Sequence, residues 1–172
     1  MDHGVNSTVD LGHHATTGEE AVLAVLWERY QGRLRQMIRL CLDRRLQSRV
    51  DPSDVLQQAY VDLTARMSDY TRDLTMPPYL WMRIVTGQRL MQIQRDQLGS
   101  AMGDADREIS FCQGALPQAS SASLAAQLLG RLTSASQAAA RPERQLQLQQ
   151  ALNAMEPVDR EVIALRHFEE LS

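Results

Sequence analysis

From Leu23 to Cys41 apolar side chains return every third or fourth residue: Leu23, Leu26 or Trp27, Tyr30, Leu34, Met37, Ile38 and Cys41. That interval matches an α-helix with one buried face and not the two-residue alternation of a half-buried strand. The same interval recurs in Val55, Ala59, Leu63 and Met67, then in Trp81, Ile84 or Val85, Met91 and Leu98. Further on it runs through Leu124, Leu128 and Leu132, through Leu148, Leu152 and Met155, and through Val158, Val162, Leu165 and Phe168. An all-α fold follows. Aromatics make up 5% of the chain and β-branched runs are few, which also disfavours a sheet.

Punctuation residues divide the chain. Residues 1–18 are polar and without periodicity, so a disordered tail is expected there. A long helix is expected over about Glu19–Gln47. Asp51 is suited to cap a second helix, with Pro52 in its first position and Asp54 in its first turn. Pro77 excludes helix just before it, Pro78 is suited to start a third helix, and Gly99 to stop it. Residues 100–140 are rich in Ser, Ala, Gly and Gln and are expected to be a flexible linker with one short helix near Leu124–Leu132. Helical sequence resumes at Arg141–Pro142 and again at Pro157. The expected organisation is a helical domain over 19–99, the linker, and a small helical piece over 141–172.

The formal net charge of −3 argues against a free-standing nucleic-acid binder, which needs a broad positive field. Charge is nevertheless partitioned. Seven Arg lie between Trp27 and Arg49, against Glu28 and Asp43; four Asp lie between Asp51 and Tyr70, against Arg66 alone. The plainer expectation is that the basic and acidic helices pair with each other; the other is that each meets its own partner.

The outer surface of the second helix carries Asp54, Gln57, Gln58, Tyr60, Val61 and Asp62. Short acids, amides and exposed apolar groups suit contact with another protein better than simple solvation. Catalytic constellations are lacking: no Gly-rich phosphate loop, no HExxH, no nucleophile elbow. Cys41 and Cys112 form no CxxC, His13 and His14 have no partner at ligand spacing, and neither a metal nor a cofactor is expected. His167 and the acidic pairs Asp104/Asp106 and Glu169/Glu170 are expected on the surface. An enzyme is not expected. No apolar run approaches the roughly 18 residues of a membrane span, and no signal peptide is evident.

Three stretches taken in order resemble bacterial sigma factors of the extracytoplasmic-function group. DVLQQAYVDL (54–63) is similar to the core-polymerase-binding signature, with Asp54, Gln57 and Tyr60 on its positions. PPYLWMRIVTGQRLMQIQR (77–95) resembles the following promoter-melting helix, with Trp81 and Arg95 matching. LNAMEPVDREVIALRHFEELS (152–172) is similar to the start of the C-terminal sigma domain. Thr86-Gly87-Gln88 stands where the family usually has an Ala-Arg-Asn-like triplet, and Gln92 where Asp is common.

The resemblance implies a sigma region-2-like domain, a linker, and an incomplete region-4-like helix-turn-helix domain, the chain ending before the recognition helix. It implies a cytoplasmic transcription initiation factor that binds core RNA polymerase at the clamp coiled coil of its largest subunit. Promoter DNA in the holoenzyme would be a partner, with room for an anti-sigma factor. Polymerase contact would fall to Asp54, Val55, Gln57, Gln58, Tyr60, Val61 and Asp62. DNA contact would fall to Tyr70, Tyr79, Arg83, Gln88, Arg89, Gln92 and Arg95, aromatic and amide groups catching unstacked bases. For Arg83, Arg89 and Arg95, plain solvation is an equal alternative. The alternative function is a helical regulatory module that keeps the polymerase-binding face without promoter recognition.

Overall fold

A computed structural model describes residues 7–99, 117–132 and 141–170, with side chains from Gly18 onward except that of Leu132. Cys112, His13, His14, Asp104 and Asp106 lie outside the described side chains. Among the described residues there are six α-helices, one 3-10 turn and no strand: α1 Ser7–Cys41, α2 Pro52–Arg72, α3 Pro78–Leu98, α4 Ser121–Leu132, α5 Arg141–Asn153 and α6 Pro157–His167.

Helix α1 begins at Ser7, ahead of the expected start near Glu19. No proline interrupts 7–18, and extending an existing helix needs no new nucleus. The helix stops at Cys41, short of Gln47. Asp43 then accepts from Arg45 N at 2.8 Å and caps the 3-10 turn Arg44–Leu46, which buries Leu46. Asp51 caps α2 by accepting from Ser53 N at 2.7 Å, with Pro52 opening the helix. Pro78 opens α3, and Gly99 ends it with φ +60°, a backbone region glycine enters without a Cβ clash.

Helices α1, α2 and α3 form an up-down-up bundle. Glu19 meets Thr71 and Trp27 meets Tyr60, so α1 and α2 are antiparallel. Tyr70 meets Trp81 and Asp62 meets Arg89, so α2 and α3 are antiparallel. Between them lie Leu34, Met37, Ile38, Val55, Ala59, Leu63, Met82 and Leu90, all with no exposed surface. Burying one such Leu stabilises the fold by about 1.5–3 kcal/mol.

Three expectations are corrected. The buried side of α3 is Tyr79, Met82, Val85, Thr86 and Leu90, while Trp81, Ile84, Met91 and Leu98 are only half-buried. The reason is that α3 has neighbours on two sides, so its buried surface is wider than a single stripe. On α6 the stripe is split: Phe168 is buried with Ala164, but Val158 and Val162 are 72% and 54% exposed. The part of the expected linker that is described is packed. Leu124 and Ala125 of α4 have no exposed surface, Ser120 N donates to Leu40 O at 2.9 Å, and Cys41 Sγ lies 3.5 Å from Pro117 O. Small Ala and Ser side chains let α4 approach the C-terminal end of α1, against which they bury as core.

Candidate functional site

Helix α2 separates its two faces cleanly. Val55, Ala59, Leu63 and Met67 face inward. Asp54, Gln57, Gln58 and Val61, at the complementary i, i+3, i+4, i+7 positions, are exposed, Val61 by 66%. Among the described residues the side chains of Asp54, Gln57 and Gln58 have no hydrogen-bond or ion-pair partner. The other three residues of the expected protein-binding set are engaged internally. Val55 is fully buried. Tyr60 is half-buried, its ring 4.8 Å from that of Trp27 and nearly edge-on at 67°. Asp62 receives a fork from Arg89, Nε at 2.6 Å and Nη2 at 2.5 Å.

The charge partition resolves differently from the pairing expected. Among the described residues no α1 arginine forms a salt bridge with an α2 aspartate; Asp62 of α2 takes Arg89 of α3, and Arg33 of α1 takes Glu170.

Apart from Arg89, which is held by Asp62, the expected DNA-contacting residues fall into two groups. Toward the C-terminal half of α3, Gln92 and Arg95 are exposed and Gln88 half-exposed, on one face. Gln92 donates to Asp96 and accepts from Arg95, and Gln88 accepts from Arg66 Nη1 at 2.7 Å. Thr86 and Gly87, beside Gln88, are buried, so only the third residue of that triplet reaches the surface.

The second group is interior. Tyr70 is 7% exposed; its ring stacks on Trp81 at 4.3 Å and its hydroxyl donates to Met76 O at 3.0 Å. Tyr79 and Arg83, on adjacent turns of α3, are 3% and 4% exposed. Arg83 donates to Glu169 from Nε at 2.7 Å and from Nη2 at 3.2 Å, and its Nη2 also donates to Glu161. The Tyr79 hydroxyl donates to the same Glu169 carboxylate. Burial works against the Arg83 charge, but the hydrogen bonds and negative charge of Glu169, with Glu161 beyond, outweigh it and raise the pKa. Burial, then the Glu169 charge, raises that of Tyr79, so the phenol keeps its proton.

Glu169, expected on the surface, has no exposed area and is the centre of this cluster. The sequence signal was ambiguous because Glu169 and Glu170 are adjacent and identical. Glu170 adopts φ +52°, a left-handed conformation costing about 1–3 kcal/mol in a non-glycine residue, and meets Arg33 at 3.5 Å. Arg131 of α4 donates to His167 O at 2.6 Å and lies 4.5 Å over the Phe168 ring.

A cleft of about 400 Å³ among the described residues is lined by Arg39, Arg44, Gln47, Ser123, Gln127 and Gln145, among others. The Cys41 thiol is pushed up in pKa by burial and then by the Glu161 charge, which leaves it a poor nucleophile. Among the described residues no three His, Cys, Asp or Glu gather to hold a metal ion, and no helix is long and apolar enough to cross a membrane.

The Asp62–Arg89 fork joins α2 to α3 beside the exposed faces. The hydrogen bond from Arg89 holds the Asp62 carboxyl below the usual carboxylate range, and partial burial only weakens the effect. A depressed pKa stabilises the fold above the unfolded value, about 3.9, and that stability is lost as pH falls through the folded value. Asp62→Asn is expected to lower stability by about 1 kcal/mol at pH 7. In urea titrations between pH 6 and pH 2.5, its difference from the parent should shrink as Asp62 is protonated.

Comparison of the chain with protein-family models, with curated proteins and with solved structures finds no match.

Proposed function

We propose that this chain is a sigma-like transcription initiation factor of the cytoplasm, which binds core RNA polymerase through α2 and directs promoter recognition and melting. The observation that carries the reading is the Asp54–Gln57–Gln58–Val61 face. It is exposed, its polar side chains have no partner among the described residues, and it stands on a helix whose other face is anchored in the core. Such a surface is preorganised, so docking orders little that is not already ordered. Its acid and amides complement a basic coiled coil such as that of the polymerase clamp, setting encounter and register more than raw affinity. Gln88, Gln92 and Arg95 offer an adjacent polar surface to promoter DNA, with polymerase supplying most of the positive field. An anti-sigma protein competing for either face fits the same reading.

The test is capture of purified core polymerase by the 172-residue chain. Asp54→Arg with Gln57→Ala should weaken capture at least tenfold, the ~1.4 kcal/mol expected for losing part of an interface centre. Helicity should be largely retained, because neither side chain packs in the core and reversing the Asp54 charge in the first turn of α2 costs only about 0.3–1 kcal/mol. Undiminished capture by the folded double variant would remove α2 from the interface.

A second reading, a polymerase-binding regulator without promoter recognition, is favoured by one observation: Tyr79 and Arg83 are covered. Promoter opening by the chain with core polymerase separates the two.

A further inference from the structure

The side of α3 carrying Tyr79 and Arg83 has the composition of a surface for single-stranded nucleic acid. Tyr79 and Arg83 share a helix face at i, i+4. The Arg33 guanidinium lies 5.8 Å from the centre of the Tyr79 ring and 5.7 Å from that of Tyr30. Aromatic faces that stack bases, with arginines that hold phosphates, are how sequence-tolerant strand binding is built. In this chain that surface is filled by the chain itself. Glu169 presents a carboxylate to the Arg83 fork and to the Tyr79 hydroxyl, Glu161 takes a second Arg83 nitrogen, and Glu170 takes Arg33. A carboxylate on a guanidinium fork has the charge and geometry of a phosphate there.

We propose that residues 157–170 are an acidic latch, in which Glu161 and Glu169 occupy on Arg83 and Tyr79 the place of a phosphate and base of single-stranded DNA. The latch rests on the sigma-like reading for its nucleic-acid partner and adds regulation of that site. It is built to open. Buried ion pairs come close to break-even, because desolvation of both charges opposes their attraction. The left-handed backbone at Glu170 adds strain to the closed state. A competing polyanion regains the same guanidinium contacts, so exchange of one for the other is nearly balanced. With the open state at about 1–10% of the population, apparent DNA affinity is reduced about 10- to 100-fold from that of the open surface.

The experiment compares the full chain with its Glu161→Gln/Glu169→Gln variant. One readout is amide hydrogen exchange over residues 158–168; the other is binding of a fluorescent 12-nucleotide single-stranded DNA. Neutral amides leave the Arg83 charge buried without compensation, so the segment should release. Exchange should quicken at least tenfold and DNA should bind at least tenfold more tightly. Adding Arg83→Gln should cancel the gain in binding. Ala164→Glu, placing a charge at a site 1% exposed on α6, opens the latch by a different route and should give the same gain. Unchanged exchange and binding in both variants would overturn the latch. Faster exchange without tighter DNA binding would overturn it as an occluder of DNA and remove Arg83 and Tyr79 from the DNA surface. Polymerase capture, which depends on α2, reports separately on the functional reading.

Discussion

Arg83→Met is expected to lower the free energy of unfolding by about 1.4–2.7 kcal/mol, the docking free energy that an open population of about 1–10% gives residues 157–170. Deleting one partner of a buried ion pair costs about 3–5 kcal/mol where the structure cannot yield, and here release of the segment caps the loss. The guanidinium is 4% exposed and satisfies two carboxylates, one of which is wholly buried. Without it, Glu169 and Glu161 face each other across an interior with no cation between them. The chain can relieve this only by releasing the segment that carries them, so the loss should be concentrated in residues 157–170. A urea titration read by far-ultraviolet circular dichroism measures the overall change. Hydrogen exchange measures where it falls. The companion Arg83→Met/Glu169→Leu/Glu161→Gln variant should recover most of the loss. It replaces a desolvated charge pair with apolar contact and leaves only the Tyr79 hydroxyl without its acceptor. A triple variant as unstable as Arg83→Met would mean the cluster acts through packing and not through charge.

Why this cluster was hidden from the sequence, while most of the fold was not, follows from range. Proline, Asp51 and Gly99 act on their own neighbours, so the starts of α2, α3 and α6 and the end of α3 are legible locally. The apolar interval gives the inward faces of α1 and α2 for the same reason. Local rules fail on α3, where the segment 157–170 covers a second side. Arg83 and Glu169 are 86 residues apart, and nothing near either one marks it as buried. Tyr79 and Arg83 look like surface groups because their partner arrives from far along the chain. The α4 segment misleads in the opposite way. Its Ser and Ala content has the composition of a linker, yet small side chains are also what allows a helix to lie close against α1. On α2 the sequence identifies the exposed stripe Asp54, Gln57, Gln58 and Val61. It cannot show that Asp62 and Tyr60 are held by Arg89 and Trp27, which again are distant in the chain.

Leu63→Ala is expected to lower stability by about 2–5 kcal/mol, the range for large-to-small changes at buried Leu. Leu63 has no exposed surface and sits midway along α2, in the core between α1 and α3. Neighbours held by two other helices cannot collapse fully into the space left, so a cavity term adds to the lost transfer energy. A shift of the urea midpoint with an unchanged slope would place the effect on stability alone. The same variant bears on function, because Leu63 and Gln57 occupy opposite faces of one helix. If α2 docks polymerase only through its exposed stripe, capture by Leu63→Ala should fall in proportion to the folded fraction and return when the protein is stabilised by cooling toward its most stable temperature. Asp54→Arg/Gln57→Ala should show the reverse, a urea midpoint lowered only slightly by the reversed first-turn charge, with lost capture. Persistent loss of capture by folded Leu63→Ala would mean that the shape of α2, and not merely its outward side chains, is what polymerase recognises.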